Sequence, residues 1–240
     1  MSMHKAERIY RDFSKERGPF EQMDFPEKRL LDAVGGNNEY EDAMLLTAFS
    51  TCDYNRDAMQ LTDNLIELYE ESGVYFAPKT YSKDGSEDEL AEVLEGIGFR
   101  YPNRDAHALF VNYEIIADKY GTIQNLLKGV NYDAPKLVYR LREDDFLCVK
   151  GKKIAPMYAR FLSDYIHSLD RLWELDIPVD THIRRLSHDM FHSDLSDDEI
   201  RQRWRNIGHN TGVSPHVVDG ALWLIGNNWD DWGENYWNEV

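Results

Sequence analysis

Two short runs within residues 147 to 186 decide how the chain is read: Leu147-Cys148-Val149-Lys150-Gly151-Lys152-Lys153-Ile154-Ala155 and Ile177-Pro178-Val179-Asp180-Thr181-His182-Ile183-Arg184-Arg185. Between them Ile154, Met157, Tyr158, Phe161, Leu162, Tyr165 and Ile166 recur at i, i+3, i+4 and i+7, which predicts a helix with one broad apolar stripe. Pro156 falls in its first turn, where the amides have no helical acceptor, so it does not break the helix. The pattern sets Lys153 at the start of one helix and Asp180 at the start of another. That pairing suits chemistry in which an amine is the nucleophile.

The turn Val149-Lys150-Gly151 opens directly into the striped helix. Backbone amides at such a turn point outward and can hold a phosphate oxygen, with Lys150 and Lys152 adding charge. A plain corner between two helices has the same local signature. Asp180, just before Thr181 and a helical run, reads first as an N-cap. A capping carboxylate is also rigid and ionised, as a reaction that develops positive charge requires.

The rest of the chain reads as all-α. Residues 4 to 17 and 26 to 34 are predicted helices that stop at Gly18 and Gly35-Gly36. Residues 39 to 52 are apolar nearly all round, the mark of a central buried helix. Amphipathic helices follow over 55 to 72, around Leu90 to Ile97, and over 103 to 119, with a polar loop at 81 to 87. Asp133 caps a helix carrying Leu137, Val138 and Leu141, and helices are expected at 181 to 191, 197 to 207 and 214 to 226. The tail from 227 to 240 is rich in Trp and acid.

With 240 residues, 42% of them hydrophobic, the chain can bury a sizeable core. No run of about 18 apolar residues spans a bilayer and no apolar segment follows the N-terminus, so no membrane association is expected and the cytoplasm is the expected compartment. Two cysteines, Cys52 and Cys148, form neither a disulfide framework nor a four-thiolate cluster. The net charge of −17 argues against a polyanion partner, yet residues 136 to 160 hold seven basic side chains against three acidic ones. A basic island thus lies on an acidic surface, and that surface reads as adapted to high salt.

Taken together, the two runs resemble the helix-hairpin-helix DNA glycosylases of the endonuclease III and 8-oxoguanine glycosylase type. The resemblance extends to Met44-Leu45-Leu46-Thr47-Ala48-Phe49-Ser50-Thr51, to Leu94-Glu95-Gly96-Ile97-Gly98-Phe99, and to Ser214-Pro215-His216-Val217-Val218-Asp219-Gly220-Ala221-Leu222-Trp223, and spans roughly residues 38 to 226. It implies a two-lobed fold, with one lobe at 37–167 and the other at 1–36 plus 168–240. It also implies a monomer that acts on damaged double-stranded DNA in base-excision repair. Carried over by position, Lys153 is the amine nucleophile and Asp180 the catalytic carboxylate. Val149, Lys150, Gly151 and Lys152 form the phosphate-gripping hairpin, with a monovalent cation on the backbone of Val149 and Gly151. Arg184 joins the DNA contacts, and Phe49 fills the gap left by an extruded base. Val149 stands where the family's hairpin has its first glycine, 27 positions separate Lys153 from Asp180, and no iron-sulfur cluster is expected.

Two other readings compete. A DNA-binding protein of the same fold without turnover accounts for Val149 and for the acidic charge, but needs neither Lys153 nor Asp180. His182, His188, Asp189, His192 and Asp219 suggest a metal-dependent phosphohydrolase with a His-Asp pair.

Overall fold

The fold is organised around a helix with almost no solvent face. In the computed structural model, which describes residues 2–21, 25–35, 39–53, 56–77 and 86–240, every residue of the run Ala43 to Cys52 is buried. Among the described residues there is no strand, and helices make up nearly all regular structure. The chain forms two compact units, Asp24–Leu172 and Met1–Met23 with Trp173–Val240.

Helix α1 (Ser2–Ser14) belongs to the second of these. The Asp24–Leu172 unit holds α2 (Pro26–Val34), α3 (Glu39–Cys52), α4 (Ala58–Glu71), α5 (Glu87–Ile97), α6 (Pro102–Ile115), α7 (Ile123–Gly129), α8 (Ala134–Glu143) and α9 (Ile154–Tyr165). The buried helix, α3, packs against α2, α4, α6, α7 and α9. Each large apolar side chain it contributes, Met44, Leu45, Leu46 and Phe49, stabilises the unit by about 1.5–3 kcal/mol relative to exposure. Two of its three buried hydroxyls are satisfied within the core, while Ser50 Oγ is buried without a hydrogen-bond partner among the described residues. Thr47 Oγ1 donates to the Ala43 carbonyl at 2.7 Å and lies 2.7 Å from the Tyr158 hydroxyl of α9. Thr51 Oγ1 donates to the Thr47 carbonyl at 2.7 Å.

Where the structure departs from the sequence reading, local chemistry explains the difference. The loop expected at 81 to 87 falls mostly outside the described residues, and its end is already helical signal: Ser86 caps α5 reciprocally with Glu89, and Glu87 opens the helix. Helix α6 ends in a π-turn, Ile116–Tyr120, that Gly121 closes at φ +75. Helix α7 went unrecognised because its seven residues give barely two turns of periodicity, although Thr122 caps it. Helix α9 begins at Ile154, not at Lys152.

The other unit adds α10 (Thr181–Phe191), α11 (Asp197–Thr211), α12 (Pro215–Asn227) and α13 (Glu234–Glu239). Helix α12 packs against α1, α10 and α11. A Cβ at Gly226 would lie 2.4 Å from the Cβ of His182, so the close approach of α12 to α10 requires glycine there. The tail is ordered by aromatic packing: Phe20 meets the rings of Phe13, Trp232 and Tyr236 edge-on. Trp237 donates from its indole to Asp189 at 2.7 Å, and Lys5 lies over its ring. No helix among the described residues is long and apolar enough to cross a membrane.

Candidate active site

The connection from α8 to α9 is the hairpin anticipated from sequence, and its shape is imposed by side chains far away in the chain. Asn112 of α6 is fully buried. Its Nδ2 donates to the Leu147 carbonyl and to Thr51 Oγ1, both at 3.0 Å, while its Oδ1 accepts the Leu147 amide at 2.7 Å. One amide side chain therefore fastens both backbone groups of Leu147 to the C-terminal end of α3. The next residue, Cys148, is held in the left-handed region at φ +63, which costs a non-glycine residue on the order of 1–2 kcal/mol. The two bonds from Asn112 brace that turn.

Beyond Cys148 the chain tightens into the helix. The Val149 amide donates to the Leu147 carbonyl at 2.7 Å, the Lys150 amide to the Phe146 carbonyl at 3.2 Å, and the Ala155 amide to the Gly151 carbonyl at 3.0 Å. Val149 is fully buried, so its side chain anchors the hairpin from inside, where a glycine would leave a void. Gly151 differs. It is exposed, its backbone is not left-handed, and a Cβ built on it meets no atom within 4 Å. Nothing within this chain demands glycine there.

The basic island is largely paired. Lys150 donates to the Asp145 carboxylate, Arg142 Nε to the Lys150 carbonyl at 3.3 Å, and Arg140 lies 3.4 Å from Glu143. Lys152 is exposed. Lys153 occupies the N-cap position of α9 and donates from Nζ to Asp53 Oδ2 at 3.1 Å, with its side chain 36% exposed. Phe49 is 2% exposed and packs edge-on against Phe161, with ring centroids 5.9 Å apart. Phe49, expected from the resemblance as a gap-filling wedge, thus lies in the core of its unit in this structure.

A charged cluster lies below the hairpin. Asp105 is fully buried between Arg56 at 2.5 Å and Arg104 at 2.8 Å. Burial raises its carboxyl above the usual range, against the pull of the two guanidiniums. Burial also pushes the Cys52 thiol well up and the Cys148 thiol up, so both cysteines stay protonated and are poor nucleophiles.

In the other unit Asp180 caps α10, accepting the Ile183 amide on Oδ1 at 2.8 Å. Pro178 and Val179 before it are buried and the carboxylate is half-buried. Arg184 does not stand free for a ligand: its Nε lies 3.0 Å and its Nη2 2.9 Å from Asp197 Oδ1. Trp204 is buried, with its indole donating to Ser187 Oγ at 3.0 Å. Of the phosphohydrolase reading, the His188 and Asp189 side chains are engaged elsewhere. His188 meets the Leu195 carbonyl at 2.9 Å, Asp189 accepts from Trp237, and no group of His, Cys, Asp and Glu among the described residues could hold a metal ion.

Sequence reasoning singled out Lys153 and Asp180 and passed over Asn112 and Asp53. Neither carries a motif, since each matters through a residue 35 or 100 positions away. No family model matches the chain, and no curated protein matches it. Solved structures do. The 8-oxoguanine DNA glycosylase of Thermotoga maritima is similar over 94% of this chain and 97% of its own, at 19% identity and a TM-score of 0.59. The Methanocaldococcus jannaschii 8-oxoguanine glycosylase/lyase, in complex with a 15mer DNA containing 8-oxoguanine, is similar over 93% and 95%, at 18% identity and a TM-score of 0.59. The chain therefore has the all-α fold of the 8-oxoguanine DNA glycosylases.

Proposed function

We propose that the protein is a base-excision-repair DNA glycosylase that also cleaves abasic sites through a Schiff base on Lys153. One observation carries this reading. The hairpin between α8 and α9 presents a lysine at a helix N-terminus beside Gly151, a glycine that its own chain does not need. A glycine with open space above it lets a phosphate approach backbone amides closely, and the helix N-terminus favours the negative charge. Lys150 and Lys152 add positive charge, although Lys150 must exchange Asp145 for a phosphate. Carbonyl oxygens of Val149 and Gly151 are suitable donors for a monovalent cation, and the guanidinium of Arg142 on the Lys150 carbonyl already brings positive charge to the same turn.

In this reading Lys153 attacks C1′ as the neutral amine. On an abasic aldehyde the net change is ammonium plus aldehyde to protonated imine plus water, and loss of the C2′ proton then expels the 3′ phosphate. Asp180, fixed by its cap, stabilises the positive charge that grows on the sugar as the base leaves. The target base must leave the stack before either step. Since the solved structures of this fold include enzymes named for 8-oxoguanine, that lesion is the first substrate to test.

The experiment is borohydride trapping on duplexes carrying an abasic site or one lesion each, without added metal. Wild type should give a covalent protein–DNA adduct. Lys153→Gln should abolish it while duplex affinity stays nearly unchanged, since one of several cations is lost. A full adduct from Lys153→Gln moves the nucleophile to another amine. Binding with no adduct and no excision on any lesion replaces the enzyme with a DNA-binding protein of the same fold.

A further inference from the structure

Lys153 does not project into solvent unaccompanied. Its Nζ donates to Asp53 Oδ2 at 3.1 Å, and the Asp53 side chain is only 11% exposed. Asp53 directly follows Cys52, the last residue of α3. That end of α3 is tied to the hairpin two residues away, where Asn112 bonds Thr51 on one side and Leu147 on the other. Carboxylate and amine are therefore carried on two backbone segments fastened together through the same side chain. The pair is built into the fold and does not depend on a chance meeting of two long surface side chains.

We propose that Asp53 is a positioning residue that parks the Lys153 amine as an ion-paired ammonium in the DNA-free protein, so that breaking this pair precedes attack. The functional meaning of the pair rests on the reading of Lys153 as nucleophile. The pair itself does not. An ammonium has no lone pair to donate, and one held at hydrogen-bond distance by a carboxylate mostly withdrawn from water must leave that partner before it can reach a sugar carbon. A lysine near the surface of a hairpin would otherwise meet any small aldehyde. With its charge held by Asp53 it reacts once the pair is opened, and the incoming sugar can then replace the carboxylate as its neighbour. Asp53 never touches the sugar in this scheme and forms no bond to it.

The test measures the amine directly. Wild type, Asp53→Asn and Asp53→Glu are labelled with formaldehyde and cyanoborohydride at pH 7, and methylation of Lys153 and Lys150 is followed by peptide mapping. Asn keeps the shape and an acceptor oxygen but removes the charge. Labelling of Lys153 should rise by about threefold to fivefold in Asp53→Asn, from the loss of its ion-pair partner, with Lys150 unchanged as internal reference, and Asp53→Glu should stay near wild type. Single-turnover trapping on an abasic duplex should rise by a similar factor in Asp53→Asn, with duplex Kd changed less than about twofold. Unchanged or slower labelling of Lys153 in Asp53→Asn overturns the proposal, even if wild type traps DNA normally. Faster labelling with no adduct from wild type leaves the parked amine standing and removes the lyase reading instead. A general rise at both lysines, with a lowered melting temperature, means that Asp53 only supports the fold and overturns the proposal too.

Discussion

Lys153 and Asp180 sit at equivalent places, each at the N-terminus of a helix, but they are held in opposite ways. Asp180 is positioned by its own helix: the bond that fixes it comes from Ile183, three residues on. Lys153 is positioned by distant parts of its unit: by Asp53, and through the hairpin by Asn112 and Thr51. A local device tolerates change in its surroundings and fails only when its own residue changes. A device assembled from α3, α6 and the hairpin fails when any of the three moves. The difference teaches that Lys153 is tied to the packing of its own unit, while Asp180 depends on its helix alone.

The comparison can be broken most severely at α3. Phe49→Ala removes a 2%-exposed ring packed against Phe161 and should destabilise the Asp24–Leu172 unit by about 3–5 kcal/mol in urea unfolding. Equal loss of excision on duplex and single-stranded substrates should accompany it. A normal stability with excision lost only on duplex would restore Phe49 as a wedge.

Next in size is Asn112→Ala, which strips the partly buried Leu147 amide of its acceptor and leaves the Leu147 carbonyl only the Val149 amide. A cost of about 1–3 kcal/mol is expected, the range for one unsatisfied group shielded from water. Adduct formation through Lys153 should fall further than duplex affinity. If stability changes by less than about 0.5 kcal/mol, the hairpin holds its own shape and the contrast with Asp180 collapses.

The smallest effect belongs to the local device. Asp180→Asn should leave stability within a few tenths of a kcal/mol, because Asn caps about as well, whereas Asp180→Ala should cost about 1 kcal/mol. With Asp180→Asn, base excision should nevertheless drop on the order of 10²-fold, with trapping from a preformed abasic site less affected. A stability loss in Asp180→Asn as large as that of Asn112→Ala would show that the carboxylate is held by more than its cap.

The same division governs what could be read from the chain beforehand. The all-α class, the buried helix at 39 to 52, and the caps at Asp133, Asp180 and Ser196 were legible because each is written in neighbouring residues. Lys153 was legible through its short motif. Asn112 looked like an ordinary polar residue on an amphipathic helix. Only packing turns it inward onto Leu147. Arg184 read as a DNA contact because nothing near it in sequence reveals Asp197 as its partner. The order of the tail is not legible in its own residues, since its aromatic side chains find their partners in Phe20, Lys5 and Asp189. Asp53 falls just past a helix end and carries no pattern at all.

Helix α3 has one more consequence. With every side chain from Ala43 to Cys52 out of water, no partial opening of the surface uncovers its amides. Deuterium uptake at those amides should therefore proceed only through cooperative opening of the whole Asp24–Leu172 unit, at a rate set by its global stability. Asp53 lies one residue past that protected run, so the slowest-exchanging hydrogens in the unit mark, within a single residue, where the anchor of the candidate nucleophile begins.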